Sequence, residues 1–179
     1  MGSQKKLAVL ALVLGLSLTA HAADPYTAKF QPGKWTGTVV KSVSPDLQGK
    51  KFTATTDVKG DVVNINVVMD GAKGQEKEIW QITGNELTQT EYDAMGKVVG
   101  TPYKATAQAG STDMKKTFAI HCTDKATNKC DNGIDANNNW VITVENNKLT
   151  YAVYGKLDSK NPQSAIGERH VFEFKLAGK

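Results

Sequence analysis

Lys59-Gly60-Asp61-Val62-Val63-Asn64-Ile65-Asn66-Val67-Val68-Met69 is a tight turn followed by a strand with one dry and one wet side. Side chains on a strand alternate between its faces, so Val63, Ile65, Val67 and Met69 share one face while Asn64, Asn66 and the less polar Val68 share the other. Gly60 supplies the positive φ that a short hairpin connection needs. A chain built this way wants antiparallel neighbours and one buried sheet face.

The same pattern recurs on both sides of this segment. Strands are expected near Lys34–Val43, Lys51–Lys59, Val62–Met69, Lys77–Ile82, Glu86–Ala94 and Val98–Ala107, then near Lys116–Cys122, Trp140–Glu145, Lys148–Lys156 and Glu168–Leu176. In the last, Phe172, Phe174 and Leu176 alternate with Glu173 and Lys175. Gly84-Asn85, Met95-Gly96 and Asn146-Asn147 provide further turns. No later segment keeps a helical apolar period; one short helical turn is expected around Asp158–Ile166. A meander of this length closes into a barrel or folds into a sandwich to remove its edges. The expected fold is therefore all-β: a single antiparallel up-and-down barrel of about eight to ten strands, with no repeat, linker or second domain.

Ahead of the strands, Lys5 and Lys6 precede an apolar run from Leu7 to Leu18 and the small-residue site Ala20-His21-Ala22. This is the layout of a secretory signal cleaved near Ala22, and the run is shorter than the ~20 residues a membrane helix needs. Residues 1–22 are set aside as signal, and 23–179 as the domain. The expected location is the periplasm or the cell exterior, without stable membrane insertion. Loss of Lys5 and Lys6 lowers the formal charge from +4 to about +2, since no acid leaves with them. Arg169 is the only arginine and the lysines are scattered, which argues against a nucleic-acid partner.

The first strand opens with Gly33-Lys34-Trp35-Thr36-Gly37, and the last begins Glu168-Arg169-His170. The pair of motifs resembles the lipocalins and related calycin barrels. There a Gly-x-Trp start puts the tryptophan in the closed end, and an arginine of the last strand packs across it. The resemblance implies that Trp35 and Arg169 form the barrel closure, and a guanidinium stacked on an indole gives the pair a physical basis. Arg169 is out of phase with Phe172 and Phe174, so an inward position requires a bulge. The resemblance also implies a cavity, with Met69, Trp80, Tyr151, Phe172, Phe174 and His170 as candidates to line it.

Cys122 and Cys130 are the only cysteines. In an oxidising compartment a disulfide is the default, and it would close a small loop worth roughly 2.5 kcal/mol. Their spacing does not match a redox pair. The segment from Asp131 to Asn139 is rich in oxygen ligands, with Asp131, Asp135 and Asn137 as calcium candidates. No glutamate stands twelfth from Asp131, so a solvated, turn-rich loop is the preferred reading. His121 and His170 lack the companions a zinc or haem site needs, and no metal or cofactor is expected. No nucleophile motif is present. Glu76, Glu78, Glu91 and Asp93 read as wet-face positions, not as a catalytic pair.

Two roles fit this sequence. One is a carrier or sensor of a small apolar or amphipathic ligand held in the barrel, which requires a cavity of a few hundred Å3 or more. The other is an interaction or inhibitor module that meets an extracellular protein through the Cys122–Cys130 loop, which favours a packed barrel. Cavity-based enzyme chemistry around a histidine is the least supported.

Overall fold

The computed structural model describes residues 24–69, 77–121, 134–161 and 163–178, excepting the side chains of 134–137. Ten strands follow a single 3-10 turn at Thr27–Lys29. They are β1 (Gly33–Ser42), β2 (Lys51–Lys59), β3 (Val62–Met69), β4 (Lys77–Thr83), β5 (Glu86–Tyr92), β6 (Val98–Ala107), β7 (Lys115–His121), β8 (Ile134–Glu145), β9 (Lys148–Lys156) and β10 (Ile166–Leu176). Each strand pairs antiparallel with the next, and β10 returns to pair with β1, so the sheet closes on itself. Closure removes the two end edges of the sheet, which is the physical reason for a meander of this length to close, although β6 pairs with β7 only at Ala105–Ala107.

Register follows the apolar alternation. Val63 and Ile65 are fully buried, and both face inward opposite Ile82 and Trp80 of β4. At Lys59–Val62 the hairpin turns through Gly60 at φ 57°, and Asn146 makes the corresponding positive-φ turn between β8 and β9 at φ 49°. Where the expected strands differ, they differ mostly at their ends. The larger exception is β8, which begins at Ile134 and so takes in most of the Asn-rich segment expected to be a loop. Pairing with β7 absorbs it through a bulge: Ala119 faces Asn139 while Ile120 already faces Asp135. Ladder hydrogen bonds outweigh the low strand propensity of asparagine. The helical turn expected at Asp158–Ile166 is not formed by the described residues there. Asp158 and Asn161 instead carry successive turns, and Ile166 already belongs to β10.

One end of the barrel is sealed by the segment before β1. Tyr26 and Phe30 are buried there, edge to face at 5.3 Å, and the Tyr26 hydroxyl donates to the Ile142 carbonyl at 3.2 Å. Around them lie Trp35, Ile82, Leu87, Phe118, Ile142, Val144 and Leu149. Lys116 enters this apolar end and is 6% exposed. Its ammonium donates to Asp24 Oδ2 at 3.0 Å, to the Gly84 carbonyl at 2.8 Å and to Asn85 Oδ1 at 3.0 Å, and it lies 4.9 Å from the Tyr26 ring centroid. The plug is thus tied to the β4–β5 turn by one charge whose three protons all have acceptors.

Burial raises the pKa of Asp24, but the hydrogen bond from Lys116, the Tyr26 N–H, the Lys116 charge and the Thr27 N–H outweigh it, and the net shift is downward from 3.8. A carboxyl whose pKa falls on folding stabilises the native state above its unfolded pKa. That stability is lost as the pH falls from about 3.8 through the folded value. Acid titration followed by near-UV circular dichroism should therefore show the Tyr26 end loosening below pH 3.8 in the native sequence. The step should be absent from the Asp24→Asn variant.

Candidate functional site

The opposite end of the barrel is hollow. A cavity of about 790 Å3 opens there, with Trp80, Gln89, Tyr151 and Phe174 deep within it. Phe52, Val67, Met69, Ile120, Trp140, Val153 and Phe172 add apolar wall. The aromatic side chains touch one another in a continuous lining. Trp80 lies 4.3 Å from Tyr151 and 6.4 Å from Phe174, and Tyr151 lies 5.4 Å from Phe172. Trp140 bridges Tyr151 at 6.5 Å and Tyr103 at 6.1 Å. Tilted and edge-on pairs of this kind hold each ring in place.

Strand alternation explains why these residues meet. Trp80 is in phase with Ile82 on β4, Tyr151 with Leu149 on β9, and Phe172 with Phe174 on β10, all facing inward. Gly37 makes room for the ring of Phe174, its direct partner across β1 and β10. A Cβ at that position would lie 2.4 Å from Phe174 Cδ1.

Polar groups occupy two sides of the cavity. On one, Glu78 of β4 and Glu91 of β5 are direct cross-strand partners and both line the hollow. Trp80 Nε1 donates to Glu78 Oε2 at 2.9 Å, and Gln89 Nε2 donates to the same oxygen at 2.8 Å. Burial pushes the Glu78 carboxyl above the usual range; the Trp80 hydrogen bond opposes this, the Glu91 charge adds to it, and Gln89 opposes it. Burial also raises the Tyr151 hydroxyl well above its ordinary value, and the charges of Glu78 and Glu91 raise it further.

On the other side stand Arg169 and His170 of β10, which is five places from β5 in the ten-strand ring. Arg169 is an extra residue in the ladder, because Glu168 pairs with Tyr154 and His170 already pairs with Val153. This is the bulge that an inward Arg169 requires. Its Nε is buried and lacks a hydrogen-bond partner among the described residues. Its stem passes over Gly155, where a Cβ would meet Arg169 Cδ at 3.0 Å and Asn138 Oδ1 at 2.6 Å. His170 Nδ1 shares a 2.8 Å hydrogen bond with Ser42 Oγ, and burial, then the Arg169 charge, lowers its pKa. His121 also lines the mouth and shares a 2.7 Å hydrogen bond with Thr106 Oγ1.

Met69, Trp80, Tyr151, Phe172, Phe174 and His170 thus all lie on this one cavity. The expected Trp35–Arg169 closure does not form. Trp35 pairs with Leu176 and is 1% exposed at the sealed end, while Arg169 sits seven residues back along β10, roughly 23 Å away at 3.3 Å per residue. The sealed end is filled by Tyr26 and Phe30 instead, and the Trp35 indole N–H is buried with no hydrogen-bond partner among the described residues.

The wet-face reading of Glu78 and Glu91 is likewise corrected. Glu78 is in phase with buried Trp80 and Ile82, and Glu91 with buried Leu87 and Gln89. That phase is present in the sequence, but near a hollow mouth the inward face is not dry, so polarity ceases to mark the outside. Glu76, Cys122, Cys130 and Asp131 lie outside the described residues, as do the side chains of Asp135 and Asn137. Among the described residues no group of three or more His, Cys, Asp or Glu side chains is placed to hold a metal ion, and no helix is long and apolar enough to cross a membrane. Comparison with models of known protein families, with curated proteins and with solved structures finds no match to this chain.

Proposed function

We propose that this protein is a carrier or sensor that holds one small amphipathic molecule in its barrel, working in the periplasm or outside the cell. The observation that carries the reading is the cavity itself: about 790 Å3, within the ~300–1,000 Å3 common for small-molecule sites. Its rings offer an apolar body contact, and Glu78, Gln89, Arg169 and His170 offer polar handles. A barrel that served only to present a loop would gain stability by filling this space. The ten-strand closed meander fits a lipocalin-like architecture in general terms, and the Gly-x-Trp start supports a kinship with such barrels. The basic head, apolar run and Ala20-His21-Ala22 site support secretion, and with it a Cys122–Cys130 bridge.

Mass spectrometry of the mature protein, purified from the compartment to which it is exported, tests the reading. Under native conditions the expected result is a small-molecule adduct that leaves on denaturation, on a chain two hydrogens light for its disulfide. A chain of bare mass that also fails to take up apolar or amphipathic probes would overturn the carrier role.

A further inference from the structure

We infer that the β4–β5 side of the cavity selects an organic cation, so that the molecule carried bears a protonated amine or a quaternary ammonium group. The inference rests on the carrier reading and deepens it.

Two carboxylates face each other directly across β4 and β5, both inward. Like charges at such a position are mutually unfavourable, and their removal from water makes this worse. The two donors to Glu78, the Trp80 indole and the Gln89 amide, are both neutral. Glu91 accepts no hydrogen bond and makes no ion pair among the described residues. Among the described residues, neither cation that lines the cavity pairs with these carboxylates, although Lys77 stands next to Glu78 on β4. Lys77 sits 5.0 Å from the Tyr92 ring centroid at the rim, and Arg169 stands on β10, on the opposite side of the ring.

Aromatic faces adjoin the carboxylates. Trp80 turns its N–H edge to Glu78 and packs against Tyr151 at 4.3 Å. Ring faces carry negative electrostatic potential, so carboxylates and rings together attract a cation and can surround its alkyl or methyl groups. The hydrogen bonds from Trp80 and Gln89 hold Glu78 before any ligand arrives, which lowers the cost of binding. A neutral guest would strip water from two carboxylates without replacing it, and an anionic guest would be repelled.

Three probes sharing one phenyl ring separate the possibilities: phenethylamine, phenethyl alcohol and phenylacetate, titrated into the mature protein by calorimetry. The amine is expected to bind at least about tenfold more tightly than the alcohol, as one charge-assisted hydrogen bond implies, with the carboxylate weakest. Glu91→Gln should lower amine affinity about tenfold without lowering alcohol affinity. Because Glu91 accepts no hydrogen bond among the described residues and faces a like charge, this variant should melt no lower than the native protein. Glu78→Gln, whose amide oxygen still accepts from Trp80, gives a second reading of the same loss. Alcohol binding as tight as amine binding, or equal weakening of both by Glu91→Gln, overturns cation selection and leaves the carrier role standing. Failure of all the probes to bind, joined to a bare native mass, overturns both.

Discussion

Lys116→Met is expected to destabilise the protein by about 3 kcal/mol or more, the usual cost of removing one partner from a buried ion pair. Methionine fills much the same volume, so the change tests the charge more than the packing. It leaves the Asp24 carboxylate, the Gly84 carbonyl and the Asn85 side-chain oxygen without their shared donor at an end of the barrel otherwise filled by Tyr26, Phe30 and Phe118. Asp24→Asn should cost less, about 1–2 kcal/mol, because its one amide oxygen keeps the Tyr26 N–H, now 2.8 Å from Oδ1, and Lys116 loses only its Oδ2 acceptor while keeping Gly84 and Asn85. Urea denaturation of both variants measures the difference. A loss below about 1 kcal/mol for Lys116→Met would mean that water replaces the ammonium and that the plug is not held by it.

The second large effect is expected at Gly37→Ala, which should cost about 2–3 kcal/mol by overpacking. Its new methyl would sit 2.4 Å from Phe174 Cδ1 and 2.6 Å from Cε1. The ring cannot swing away freely: Phe174 is fully buried and meets Trp80 edge to face at 6.4 Å. Nor can the backbones part, since Gly37 and Phe174 are paired in the β1–β10 ladder. Phe174→Leu introduced with Gly37→Ala should recover part of the loss, giving a coupling of about 1 kcal/mol or more in a double-mutant cycle. Because Phe174 forms part of the cavity lining, the same variant should displace the Trp80 ring and change its fluorescence. Additive costs in the cycle would show that the two positions do not share this space.

Most of the strand order was legible from local pattern. Val62–Met69 has a single alternation and a single glycine turn before it, and a one-residue slip would turn Val63, Ile65 and Val67 outward. Arg169 shows the limit of such reading. Its phase demanded a bulge, and a bulge exists, yet the side chain enters the open mouth, not the end that Trp35 occupies. Depth along a barrel depends on which residues pair across strands, and the Trp35 and Arg169 motifs carry no information about that register.

Glu78 and Glu91 show a second limit. Hydrophobic patterning assigns a face by assuming that the inside is apolar, and here the inward face mixes carboxylates with apolar side chains at the hollow end. The N-terminal turn was missed for a related reason: Thr27–Lys29 is too short to show a period, and it is held by Asp24 and Lys116, residues 92 positions apart in the chain.

Period and turn chemistry act between neighbours, so strands, hairpins and the all-β meander could be read from the chain itself. Ring closure, the sealed and hollow ends, and the meeting of two carboxylates with an aromatic lining depend on long-range register. Those features exist only when β10 reaches β1, because closure converts ten separate inward faces into a single enclosed volume.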